Sequence, residues 1–501
     1  MAETIRRGKI KKAPAPEVVK YLIRPAIEGD LARSYNTILD INKAHILMLA
    51  KTGIIRQDVA KKLLAATAQI ESEKDHPTFE INPDVEDLYF NLERYLIKLT
   101  GLEVGGQQHT ARSRNDLFAA EIRFDTRKVY LKLAQMFIDL RRAYLDLARK
   151  NLDTVMSGYT HMQPSEPITF AHYLSGVLSA FGRDYGRYAH AWESLNLCPL
   201  GGGSMGSTSF PIDRDYTAKL LGFDAPLQNS LDCVASRDYI LEIVTTLAQA
   251  ANTMSRTALD LYNWSTPEYG YIEVDDSCAV CSSIMPQKKN AFTLEHVKAK
   301  AAHMEGFAIS VYNTMKNVIF SHGRDTSVET PRYFYTALSE MEADFALLTV
   351  TVKTLSVRKE RMLENARRNF CTVTELANYL VRHDGISFRE AHGIIAAVVG
   401  KMNDAGLTSA DIGRSAVNEA TQSLFGFETK LSDELIAEAL DPRRVAEDKK
   451  ITGGTSSAEV TRQLDLIEAQ IRADEDVLAA RKAQLEAASE LLAAKVREAL
   501  A

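Results

Sequence analysis

Cys281-Ser282-Ser283-Ile284-Met285-Pro286-Gln287-Lys288-Lys289-Asn290 is the stretch from which the rest of the chain is read. It holds two hydroxyls, a turn-setting proline, two lysines and an amide, with few apolar side chains to bury. Upstream lies the acidic run Glu273 to Asp276. Downstream, Phe292 to Met304 reads as a helix, with Leu294, Val297 and Ala301 at helical spacing among Glu295, Lys298 and His303. The stretch is therefore expected to be a mobile loop that delivers its last residues to a helix N-terminus. Unpaired N–H groups and the helix dipole attract anions there, and Lys288 adds a full positive charge. The plain alternative is a solvated surface loop.

Two further segments share this polar character. His109-Thr110-Ala111-Arg112-Ser113-Arg114-Asn115-Asp116 has no apolar period. Its arginines are good carboxylate forks, and Ser113 and Asn115 can position a second carboxylate oxygen. A helix-capping turn is the alternative. Ser157-Gly158-Tyr159-Thr160-His161-Met162-Gln163-Pro164 sets a histidine in a turn bounded by glycine and proline, a better place for acid–base work than a helix face. The glycine-rich run Pro199-Leu200-Gly201-Gly202-Gly203, continuing to Phe210-Pro211-Ile212-Asp213-Arg214, lacks the lysine and the preceding strand of a phosphate-binding loop.

Composition narrows the function classes. The 501 residues allow two to four domains, and 26 glycines and 14 prolines are few enough to favour long helices. A net charge of −6 carries no basic bias and argues against nucleic acid as a partner. No apolar run reaches membrane-spanning length. Met1 to Lys12 is basic but leads into Ala-Pro-Ala-Pro, so it does not read as a secretory signal. Five cysteines in a chain this long suggest reduced thiols in a cytoplasm. Cys278 and Cys281 form a Cys-x-x-Cys without the second pair a zinc site needs. They are a chance pair or a redox switch.

In chain order, residues 1–17 read as an arm. Helices are expected over Leu31–Lys51, Arg56–Lys74 and Val85–Leu99, the last capped by Asn82-Pro83-Asp84 with Glu86 and Asp87 in its first turn. A long helical region over about 117–150 follows, then helices over about Ile168–Leu195 and from residue 293 to about Lys316. This gives an N-terminal helical domain (18–110), a central domain (111–365) with a candidate catalytic loop at 277–290, and a C-terminal helical domain (366–457). The final helix, 458–501, repeats Leu464, Ile471, Leu478, Leu485 and Leu492 every seven residues. It is a coiled-coil-like seam or an amphipathic helix packed on its own subunit.

The decamer 281–290 resembles the signature loop of the aspartase/fumarase superfamily, and its Gln-Lys-Lys-Asn ending resembles the argininosuccinate lyase branch. The block at 109–116 is similar to that branch's His-Thr-Gly-Arg-Ser-Arg-Asn-Asp, with Ala111 in place of glycine. Gly158 to Gln163 resembles its histidine block. The glycine-rich run, Asn229-Ser230-Leu231-Asp232, Ser236-Arg237-Asp238 and Ile451 to Ser457 match later blocks, so the likeness spans about 28–457. It implies an all-α fold of three helical domains, whose central long-helix bundle assembles into a homotetrameric core. Three subunits would contribute to each site. It further implies anti β-elimination of an N-substituted L-aspartate to fumarate and an amine or guanidine, with no external cofactor and no metal.

The same resemblance assigns roles. Ser282 is the base that takes the Cβ proton. His161 assists protonation of the departing nitrogen, and Glu295 orients that imidazole. Ser113, Arg114, Asn115, Thr160, Arg237, Ser283, Lys288, Asn290 and His322 hold the substrate. Some family positions are changed here. His322, Ser327 and Thr330 stand where the family has tyrosine, glutamine and lysine, Ala291-Phe292 where it has Pro-Asp, and Glu86-Asp87-Leu88-Tyr89 where it has Glu-Asp-x-His. Argininosuccinate is the default substrate. Another N-substituted aspartate, such as an aminopolycarboxylic acid, is the alternative, and a crystallin-like structural protein or a helical scaffold for partners is the non-catalytic one.

Overall fold

The computed structural model describes residues 12–74, 81–82 and 85–501. Its main helices, in chain order, are α1 (Arg24–Arg33), α2 (Tyr35–Lys51), α3 (Gln57–Ser72), α4 (Leu88–Thr100) and α5 (Arg114–Arg149). A two-stranded antiparallel ribbon follows, β1 (Val155–Thr160) with β2 (Gln163–Thr169). Then come α6 (Phe170–His190), α7 (Asp238–Trp264), the short pair β3 (Val280–Cys281) and β4 (Lys289–Asn290), α8 (Phe292–Lys316) and α9 (Thr330–Thr354). Smaller helices, including α10 (Val373–Asp384) and α11 (Phe388–Asp404), build the C-terminal region before α12 (Ser457–Leu500). No helix among the described residues is long and apolar enough to cross a membrane.

Helix α5 sets the dimensions. Ser113 caps it and Asp116 closes a capping box. No glycine or proline interrupts its 36 residues, so it runs about 54 Å at 1.5 Å per residue. Its middle and end pack with α6 to α9 in one large core, where the Phe137 ring lies 4.9 Å from Phe345 and edge-on to Phe181. Its first turns, through Leu117 and Phe118, enter a second core built by α2, α3 and α4. That core also takes Cys198, Leu200, Leu220, Phe223 and Leu492. A third core joins α10 and α11 through Leu380, Ile394 and Val398.

Local chemistry moves several expected boundaries. The first run divides at Ser34, whose hydroxyl donates to Asp125 instead of continuing the helix surface. Helix α4 begins at Leu88, not Val85: Asp87 is its N-cap, accepting from the Phe90 N–H, and Glu86 takes left-handed backbone. Pro83 and Asp84 of the expected cap, and residues 1–11 of the arm, lie outside the described residues. The ribbon β1–β2 was not legible, because Pro164, Pro167 and Gly158 hide a strand's alternation.

The final helix resolves the two readings of its heptad. Val460, Leu464, Ile471 and Leu478 are buried in the central core and Leu492 in the N-terminal one. Arg141 pairs with Asp474, Arg142 with Glu475, and Arg149 with Asp465 and Glu468. The seam packs on its own subunit, as a strap joining two cores.

Candidate active site

The block at 113–116 is anchored by one buried carboxylate. Asp116 is 0% exposed and accepts three backbone N–H bonds, from Ser113, Gly201 and Gly203, each 3.0 Å long. Burial still outweighs these donors and pushes its carboxyl up to about 6. Asn115 donates to the Ser204 carbonyl at 3.0 Å. The glycine-rich run is thus the cradle that fixes Ser113, Arg114 and Asn115. Gly202 has no room for a side chain, since a Cβ there would lie 2.6 Å from the Cys233 Cβ. Ala111 holds a left-handed φ of 61°, which explains why the family uses glycine at that place.

Arg114 is partly engaged within the chain. One of its nitrogens bonds Asp87 at 2.6 Å and Glu86 at 3.0 Å, and its guanidinium lies over the Phe90 ring. Beside it, Arg237 is 1% exposed, and its Nε and one terminal nitrogen have no partner. His322 faces the same space with Nδ1 unpartnered. Burial and then the nearby Arg237, Arg324 and Arg114 guanidiniums push this imidazole down to about 4, so it is neutral at pH 7. The Ser327 hydroxyl donates to Gly323 O and the Thr330 hydroxyl to Asp325 O, each at 2.9 Å. Both hydroxyls spend their single proton on their own turn, a π-helical one spanning Asp325–Glu329, and can only accept from a ligand.

At the far end of the bundle stand the other two blocks. Thr160 pairs with Gln163, and His161 and Met162 form the two-residue tip between them, exposed and with φ of 53° and 60°. Such tips suit Asn-Gly. Holding two bulkier residues left-handed costs roughly 1–2 kcal/mol each, and strain of this kind gathers at functional sites.

The signature loop is a hairpin closed by β3 and β4, with Val280 opposite Asn290 and Cys281 opposite Lys289. Ser282 Oγ accepts the N–H groups of Ile284 at 3.3 Å and Met285 at 3.1 Å. Two donors aimed at one hydroxyl oxygen favour its deprotonated form. Lys289 is tied to Glu273 and Asp276, whereas Lys288 and Ser283 are exposed and Lys288 makes no ion pair among the described residues. Asn290 is half-buried at the hairpin's foot. Cys278 is buried and Cys281 exposed, and both are free thiols. No cluster of three or more His, Cys, Asp or Glu among the described residues could hold a metal ion.

One chain does not bring these groups together. Ser113, Arg114 and Asn115 start α5, Arg237 precedes α7, and His322 follows α8, all at one end. His161 lies beyond the other end of α5, about 54 Å along the helix. Glu295, expected to orient His161, accepts instead from the Tyr262 hydroxyl of α7 at 3.1 Å and is exposed. The sequence reading missed Asp116, Tyr262 and the partnerless nitrogens of Arg237. Only Asp116 left a trace, as the residue three after a serine cap.

Residues 32–306 match the Lyase family model and residues 370–447 match the argininosuccinate lyase C-terminal model. The chain is 43% identical to argininosuccinate lyase 1 of Shouchella clausii over 97% of each chain. It is 34% identical to argininosuccinate lyase of Methanocaldococcus jannaschii over 92% of this chain and 93% of that one. The crystal structure of EDDS lyase in complex with formate superposes with a TM-score of 0.86 at 30% identity, covering 98% of this chain and 97% of that one. The chain belongs to the argininosuccinate lyase branch of the aspartase/fumarase superfamily and is a carbon–nitrogen lyase of argininosuccinate lyase type.

Proposed function

We propose that the enzyme catalyses anti β-elimination of an N-substituted L-aspartate in sites assembled from three subunits of a cytoplasmic homotetramer. Ser282 as alkoxide removes the Cβ proton. The electron pair forms the Cα–Cβ double bond, the Cα–N bond breaks, and the departing nitrogen gains a proton from water held by His161. Glu295 orients the imidazole from another chain. Ser113, Asn115, Thr160, Ser283, Lys288 and Asn290 bind the succinyl carboxylates and the extra negative charge that develops on one of them, where a single placed donor contributes about 2.7–4 kcal/mol. Arg114 stands with Ser113 and Asn115 on the succinyl side, and Arg237 and His322 face the amine half. The three-domain division at residues 110, 365 and 457 belongs to the same proposal.

The observation that carries this reading is the Ser282 hydroxyl, held by two N–H groups in an open loop. The wide separation of the block at 113–116 from the other two supports a composite site. So does the exposed apolar surface at Ile309, Ile319 and Phe320, which are 61%, 76% and 70% exposed. Mixing separately inactive Ser282→Ala and His161→Asn proteins, after dissociation and reassembly, tests it. Hybrid tetramers regain fumarate release if the two groups come from different chains. No recovery refutes the composite site.

Argininosuccinate is the default substrate. A second reading is favoured by the amine end. Three arginines surround a neutral His322, and Phe292 replaces an acidic residue and packs on His296. This suits an amine half bearing carboxylates, as in an aminopolycarboxylic acid, better than a guanidinium. Steady-state kinetics with argininosuccinate and ethylenediamine-disuccinate decide between them. A kcat/KM for argininosuccinate inside the usual range of about 10⁴–10⁸ M⁻¹s⁻¹ refutes the second reading.

A further inference from the structure

Beneath the ribbon that carries Thr160 and His161 lies a cavity of about 100 Å³ that the elimination does not use. Four aromatic side chains line it: Tyr159, Tyr173, Trp264 and Tyr269. Tyr173 and Trp264 lie 4.8 Å apart at 67°, and Tyr159 and Tyr269 lie 5.6 Å apart at 67°. The two pairs thus make corners instead of parallel stacks. Asp260 and Asn263 of α7 complete the wall.

Asp260 is the unusual member. Its carboxyl is half-buried, and its hydrogen-bond partner is the Tyr173 hydroxyl at 2.7 Å. It forms no ion pair among the described residues, and Arg256, one turn earlier on α7, is exposed. Burial pushes this carboxyl up, while the Tyr173 hydroxyl and then the Arg256 charge favour its ionised form; with no direct ion pair, its charge is only partly compensated. Aromatic faces add negative potential. Together they make the field that attracts an organic cation, the chemistry of aromatic cages. The space suits a small group, since an apolar cavity of about 150 Å³ accepts benzene.

We propose that this cavity binds a small organic monocation bearing N–H groups, an alkylammonium or guanidinium head. The Asp260 carboxylate and the Asn263 carbonyl oxygen accept its N–H groups while the rings enclose its apolar face. The preference for N–H over quaternary ammonium follows from those two acceptors. Ser157, Tyr159 and Met162 also line the cavity. The ligand therefore touches both flanks of His161, where the ribbon is irregular between Ser157 and Tyr159 and the tip is left-handed. Occupancy holds that ribbon in one position.

The test needs no turnover, so its outcome is separate from that of the proposed elimination. The chain has two tryptophans, Trp192 and Trp264, and Trp192→Phe leaves Trp264 as the sole emitter. This protein is titrated with methylammonium, methylguanidinium or tetramethylammonium chloride, with sodium chloride keeping ionic strength constant. A saturable change in Trp264 emission is expected with the first two, and at least about tenfold weaker binding of tetramethylammonium. Asp260→Asn is expected to weaken methylguanidinium at least about tenfold, the size of a desolvated cation–π and carboxylate contribution. If that variant does not fold, Asn263→Asp adds a second carboxylate and should tighten binding by about tenfold. Emission that does not saturate, or affinity that neither variant changes, overturns the site. Equal binding of tetramethylammonium overturns the N–H preference.

Discussion

Replacing Asp116 by alanine is the perturbation whose size the structure gives most directly. The carboxylate is the acceptor for three buried N–H groups, two of them in the glycine-rich cradle and one at the cap of α5. Each buried N–H left without an acceptor costs about 1–3 kcal/mol. Water entering the vacated space recovers part of this, so about 3 kcal/mol for the three together is a low figure. Unfolding entropy near 2 cal/mol/K per residue amounts to about 1 kcal/mol per degree for a chain this long. The Tm at pH 7 should therefore fall by about 3 °C. The pH dependence has a definite sign. The folded carboxyl titrates at about 6, above its ordinary 3.8, so its protonated form is favoured by folding. That contribution is complete below about pH 4 and is lost as pH rises through 6. The gap between wild type and variant should then be wider at pH 5 than at pH 7. Circular dichroism melts at both values measure it, and steady-state kinetics should show a raised KM because Ser113, Arg114 and Asn115 lose their anchor. A variant melting within about 1 °C of wild type at both pH values, with an unchanged KM, would refute the anchoring role.

Ser282→Ala should lower kcat at least about a hundredfold without changing Tm, as loss of a general base does; near wild-type fumarate release removes the base assignment. Ending the chain before Ala458 should strip the cover from two cores and give aggregated protein, so a soluble, folded product on size exclusion contradicts the strap. Of the five cysteines only Cys281 is exposed, so Ellman's reagent should titrate one thiol per native chain. Two fast-reacting thiols would instead favour a Cys278–Cys281 redox switch.

The sequence by itself determined the helical class, the chemistry-bearing blocks and the order in which they occur. These are local properties: apolar spacing writes α5 and α8 directly, and a run such as Cys281–Asn290 is polar wherever it folds. Three things were decided only in space. A heptad of leucines looks the same whether it meets a partner or its own body, and the arginines of α5 opposite Asp474 and Glu475 settle that for α12. Ser327 and Thr330 read as changed substrate contacts, but only the folded turn reveals that their hydroxyls are already bonded to backbone. Distance was the last: spacing in the chain gives no hint that an uninterrupted helix holds Ser113 and His161 at opposite ends of the subunit. A helix converts sequence separation into length at 1.5 Å per residue, and whether that length divides a site or builds one depends on how the long helices pack.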